Sequence, residues 1–281
     1  MPAERPAPKM PSLLTASLRV FDVSLGEMLW SRRTVFLALI FGGPILIAVI
    51  LRLVTAFNVP ALRVNGVPLA GASIFGLMIW FLFLRFIVPV LGIFYGTALM
   101  ADEIEDKTIT YLFTRPIPRS AVLIGKYLAY LASTVLIVLP SVMLVYFLVV
   151  PIGGGSIASS FPNLVRDLVL LALGLAVYGA VFAAVGAWVK RPVLFGLFFA
   201  FGWENVALVM PGYLKRFTVA FYTQSLVPHA MPQDSLLTIL QSVFQESVSA
   251  AQAVLTLLAI LVVALALATR AVEKREYVLE Q

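Results

Sequence analysis

Chemistry begins with side chains that carry charge, protons or electrons, and this chain has few of them within its apolar bulk. It contains no cysteine and a single histidine, His229. Thiolate nucleophiles, disulfides and thiol redox switches are therefore excluded, and His229 lacks the companion ligands of a metal site. No HExxH, paired Asp or Ser/His constellation falls inside the apolar stretches, which argues against an intramembrane protease. A Walker A loop needs G-x-x-x-x-G-K-[ST], because glycine amides cradle the phosphates and the hydroxyl holds magnesium. Gly125-Lys126 has Ser120 where the first glycine belongs and Tyr127 where the hydroxyl belongs, so the chain carries no such loop. Two ionisable residues, Arg85 and Glu204, stand near the middle of long apolar runs. A charge there costs from about 2.5 to more than 10 kcal/mol unless it meets a partner or water. Counted from the ends of their runs, the two lie at similar depth, and the expectation is that they pair, within one subunit or across a dimer. The plainer alternative is that each snorkels or faces its own water pocket.

The densest grouping of charge lies between two apolar runs. Asp102, Glu103, Glu105 and Asp106 are followed by Lys107, Thr108, Leu112, Arg115, Pro116, Arg119 and Lys126. Asp102 with Glu105 three positions on makes a start like a capping box, and the acidic residues fill a first turn where the helix dipole favours them. Pro116 stops the helix. The spacing predicts a short rod over about 102–116, acidic at its start and basic past its end. Its apolar residues Ile104, Ile109, Leu112 and Phe113 suit a partner's groove, with charges at the rim setting register. Read without context, the same segment is an ordinary solvated loop.

The elements that position these residues follow from composition. Of 281 residues 61% are hydrophobic and 12% charged, against roughly 45–50% and about 25% in soluble domains. The apolar residues gather into six runs, each about 20 residues or longer, the length a helix needs to cross a bilayer. They do not alternate at period two, so helices are expected and not barrel strands. The predicted fold is thus an all-α polytopic membrane protein, with spans at about 34–57, 73–100, 121–150, 164–189, 193–210 and 251–268. Pro44 and Pro140 are expected to kink or interrupt their spans. Residues 211–250 are half-apolar and broken by Pro211, Pro228 and Pro232, which fits short helices at or dipping into the outer surface. A proline-rich tail leads to an amphipathic segment in which Leu14, Leu18, Phe21, Leu25 and Met28 recur at helical spacing, making residues 1–33 a tail plus an interfacial helix. No short apolar leader with a small-residue cleavage site precedes the first run, which is read as an uncleaved span. Residues 271–281 form a charged tail. The net charge of +6 reflects membrane topology and not nucleic acid. Most of the Lys and Arg, among them Arg32, Arg33, Lys107, Arg115, Arg119, Lys126, Lys190, Arg191 and Arg270, fall on one side if both termini are cytoplasmic.

The segment 96–130 resembles the signature of the ABC-2 family of exporter permeases, in which an acidic pair, a threonine-containing turn, a proline-arginine and a glycine-lysine recur around the first inner loop. The matching positions are Glu103, Glu105, Lys107, Thr108, Leu112, Pro116, Pro118, Arg119, Gly125 and Lys126. The interfacial N-terminal helix, six spans, inner ends and outer region before the last span are similar to the family's architecture. The resemblance implies that residues 102–116 form a coupling helix seated in a separate ATPase subunit, with the helix carrying Leu18, Phe21, Leu25 and Met28 as a second contact. It implies two permeases, identical or paralogous, with two cytoplasmic ATPase subunits holding ATP and magnesium, so this chain needs no cofactor of its own. The expected location is the cell (inner) membrane, multi-pass. An ion-coupled secondary transporter is disfavoured by the scarcity of embedded acids, and an assembly scaffold is the remaining alternative.

Overall fold

The computed structural model describes residues 12–29, 32–57, 63–64, 67–68, 70–100, 118–210, 213–227 and 248–274. Long apolar sequences leave main-chain polar groups no water to bond, so each run satisfies them internally as helix. Helix α1 covers Leu13–Leu29 and α2 covers Arg32–Ala56. A two-residue antiparallel ladder, Arg63–Val64 with Val67–Pro68, follows. Helix α3 runs Gly71–Met100, α4 Arg119–Val149, α5 Ile157–Trp188, α6 Pro192–Leu208, and the last helix Ala250–Lys274. Between α6 and the last helix lie a 3-10 turn, Tyr213–Phe217, and a short helix α7, Val219–Ser225. The last helix is α8.

Five of these helices are long and apolar enough to cross a membrane: α2, α3, α4, α5 and α8. Helix α6 is apolar but shorter. Successive helices reverse direction, so the end of α3, the start of α4, the end of α5 and the end of α8 meet at one pole. There Met100, Leu123, Ala187, Ala268, Ala271 and Val272 pack together. At the other pole the turn Ile152–Gly154 and the 213–225 segment close the bundle. Helix α4 continues through Pro140, and α2 through Pro44; neither proline ends its helix. Helix α5 begins before the apolar run does, because the Ser156 hydroxyl accepts from the Ser159 amide and caps its first turn.

The core is built of α3, α4 and α5. Gly179 on α5 makes room for Tyr130 of α4, whose ring atoms would lie 2.1 Å from a β-carbon placed there. The seated Tyr130 hydroxyl donates to Leu175 O at 2.9 Å, and Tyr127 donates to Ala176 O at 2.8 Å. Helices α2 and α8 cover this core with one face and leave the other open. Leu39, Leu46 and Leu53 on α2, and Leu255, Val262 and Val263 on α8, are all more than half exposed, as lipid-facing side chains must be.

Two stretches of α3 and one of α6 wind as π-helix: Ile79–Ile87, Gly92–Gly96 and Phe198–Trp203. Such wide turns are uncommon and concentrate at functional sites. Arg85 lies inside the first, and Glu204 immediately follows the third.

Candidate functional site

Glu204 is 2% exposed. A buried carboxylate must be compensated by donors, and here three converge on it. The Tyr178 hydroxyl of α5 donates to Oε2 at 2.6 Å, and the Val219 and Ala220 amides donate to Oε1 at 3.0 and 3.3 Å. The two amides are the first of α7, whose N–H groups have no partner within the helix. Thr218 completes the cap, accepting from the Phe221 amide at 3.3 Å while donating to Lys215 O at 2.7 Å. Through one side chain, α6 thus grips both α5 and the segment that follows it. Val219, Ala220, Phe221, Tyr222 and Thr223 are all buried, so the start of α7 sits within the protein, while Tyr213 and Phe217 ahead of it are exposed.

Arg85 is half-buried and lies within electrostatic reach of Glu204 and Tyr178. Its hydrogen bond goes to Asn205 Oδ1, one residue beyond Glu204. The Asn205 side chain is held in turn by donating to Phe201 O at 2.6 Å, and the rings of Phe86 and Phe201 meet at 5.9 Å beside it. Arg85 and Glu204 therefore occupy one cluster, joined through Asn205 and not by a direct hydrogen bond. Helices α3, α5, α6 and α7 all contribute to it.

Sequence reasoning passed over Asp167, because a span starting near 164 puts it close to the membrane edge. Helix α5 starts at Ile157, and Asp167 is fully buried. Lys215, 7% exposed, lies toward the same pole with its ammonium 6.0 Å from the Phe221 ring centre.

At the opposite pole α1 packs against the start of α4. Its contact face joins the buried small residues Ala16, Ser17 and Ser24 to Val20, which sits against Gly125. A β-carbon at Gly125 would lie 2.6 Å from Ser17 O and 2.7 Å from Val20 Cβ, so only glycine admits α1 this closely. The apolar stripe read from the sequence lies beside that face. Leu14 and Leu18 are 74% and 61% exposed, while Phe21, Leu25 and Met28 are partly covered. A helix pinned along one side with an open leucine face next to it suits the lipid interface. Arg119 and Lys126 fall on α4 near this contact. The segment carrying Asp102, Glu103, Glu105, Asp106, Lys107, Thr108, Leu112, Arg115 and Pro116 lies outside the described residues.

A bundle of this kind, with five helices long and apolar enough to cross a membrane and a buried charged cluster, defines a polytopic membrane protein. Within that class, the family model described as ABC-2 family transporter protein matches residues 25–277. The match spans α2 through α8, and the chain belongs to that family. It is a membrane permease of an ABC transporter, a transport subunit of a family without its own nucleotide-binding domain. A search of curated proteins finds no match to the chain.

Proposed function

We propose that this chain is the membrane subunit of an ATP-binding cassette exporter, driven by a separate ATPase that docks on the segment 102–116. The family match carries the reading, and the charge pattern of that segment supplies its detail. Exposed cations at the pole where α1 sits, Arg19, Lys190, Arg191, Arg270 and Lys274, support placing that pole in the cytoplasm. With α6 counted as a crossing there are six spans, both ends of the chain are cytoplasmic, and 213–227 is a re-entrant element on the far side of an inner membrane. Two copies of this chain, or this chain and a paralogue, would sit over two ATPases that bind ATP and magnesium. Closure of the ATPase pair would push on 102–116 and α1, rock the bundle and open a route by alternating access.

The test is co-purification from native membranes. Glu105→Arg reverses charge on the proposed docking rod without touching a span, so the protein should insert normally and lose its ATPase. A variant that still retains the ATPase at the parent ratio would overturn the role given to this segment.

A further inference from the structure

We propose that Glu204 is a two-position latch: it holds the 213–225 segment through main-chain amides in the state described, and takes Arg85 when that segment withdraws.

Two of the three donors on Glu204 belong to the main chain of that segment, Val219 and Ala220. They leave together if it moves, and the carboxylate then keeps only Tyr178. A charge so stripped inside a bundle would forbid the motion unless another donor stood ready. Arg85 is that donor. A guanidinium carries five N–H groups, yet among the described residues its hydrogen bond goes to the neutral amide of Asn205, next to Glu204 in sequence. A static brace would place the guanidinium directly on the carboxylate, where a charge-assisted, two-pronged bond is stronger than one to an amide. The arrangement holds the cation one residue short of the anion. Arg85 already lies within electrostatic reach of Glu204, and both residues sit in or against π-helical turns, where main-chain hydrogen bonding is already irregular. The latch is a property of this bundle; its place in transport rests on the permease reading.

The native sequence has no cysteine, so Thr223→Cys introduces a single thiol on α7, at a position 2% exposed. The purified protein in lipid nanodiscs is treated with a water-soluble maleimide, and the labelling rate reports withdrawal of the segment. Glu204→Ala removes the amide acceptor and should raise the rate about tenfold or more, the equivalent of one hydrogen bond to a charged group. Arg85→Ala costs the described state a bond to a neutral amide but costs the withdrawn state a charge-assisted pair, the stronger of the two. It should lower the rate several-fold, with Arg85→Lys recovering part of it. Opposite signs support the exchange. Acceleration by both substitutions would mean a static brace, and an unchanged rate in either would overturn the latch. Should Glu204→Ala fail to yield monodisperse protein, Glu204→Gln decides in its place. It keeps an acceptor for the amides but forms no ion pair with Arg85, so adding Arg85→Ala to it must no longer lower the rate; a fall as large as in the parent background would overturn the latch. These rates require no ATPase. A latch that fails while the ATPase still co-purifies leaves the permease reading intact, and a working latch without an ATPase partner would sink that reading alone.

Discussion

Gly125→Ala tests how α1 is held, and its size can be worked from the close approach at this position. The added β-carbon would stand 2.6 Å from Ser17 O, 2.7 Å from Val20 Cβ and 2.9 Å from Val20 Cγ1. Comfortable carbon–carbon contact begins at about 3.5 Å, so α1 must back away by nearly an ångström. The first obstacle is a main-chain oxygen, which cannot swing aside as a side chain would. Overpacking of this kind costs about 1–3 kcal/mol. Alanine also favours helix over glycine by about 1 kcal/mol, but α4 is helical whether or not α1 is docked, so that gain leaves the docking equilibrium untouched. The undocked population should therefore rise by about 5- to 150-fold, while the melting temperature of the whole bundle barely moves. Ser24→Cys provides the readout, because Ser24 is 5% exposed on the contact face, away from the new methyl group. Its maleimide labelling rate should climb in Gly125→Ala and further in Gly125→Leu. Equal rates with glycine and alanine at 125 would refute the claim that this contact seats the helix. So would a large fall in melting temperature without faster labelling, which would place the damage in the core.

Two further outcomes concern the buried cluster. Tyr178→Phe removes the 2.6 Å hydrogen bond to Glu204 and keeps the ring that stacks on Phe182; thermal unfolding in detergent should show a loss of about 1.5–3 kcal/mol, and an unshifted melting curve would mean that the carboxylate does not depend on this donor. The double exchange Arg85→Glu with Glu204→Arg should fail to restore slow labelling of Thr223→Cys, because position 204 must accept from the Val219 and Ala220 amides and arginine has no acceptor. Recovery in the double variant would instead point to a simple ion pair between the two positions.

The parts of this fold legible in the sequence are those written in one dimension. A run of about 20 apolar residues declares a crossing because bilayer thickness and helical rise fix its length, and the interruptions between runs declare the turns. Helix ends were less legible. Helix α5 gains about two turns from a serine cap upstream of its apolar run, and α8 carries on to Lys274 because nothing after Ala268 breaks a helix. On α1 the leucine stripe is plain, whereas the face that touches protein is one valine, Val20, among the small residues Ala16, Ser17 and Ser24, a weak signal until the partner glycine is known.

The buried cluster marks where sequence reading stops and why. Arg85 and Glu204 stood out by type, since charge inside an apolar run demands compensation. The identity of that compensation depends on main-chain amides 15 and 16 residues downstream, and an amide looks the same under any side chain. A segment broken by prolines and lacking a clean period gave no hint that its short helix points free N–H groups at α6. Opposite charge at similar depth suggested a direct pair; the fold supplies instead a neutral asparagine for the cation and a peptide backbone for the anion. The two charges are thereby stabilised near one another without being locked together, and a membrane subunit that must move can hold such an arrangement where a closed ion pair would resist it.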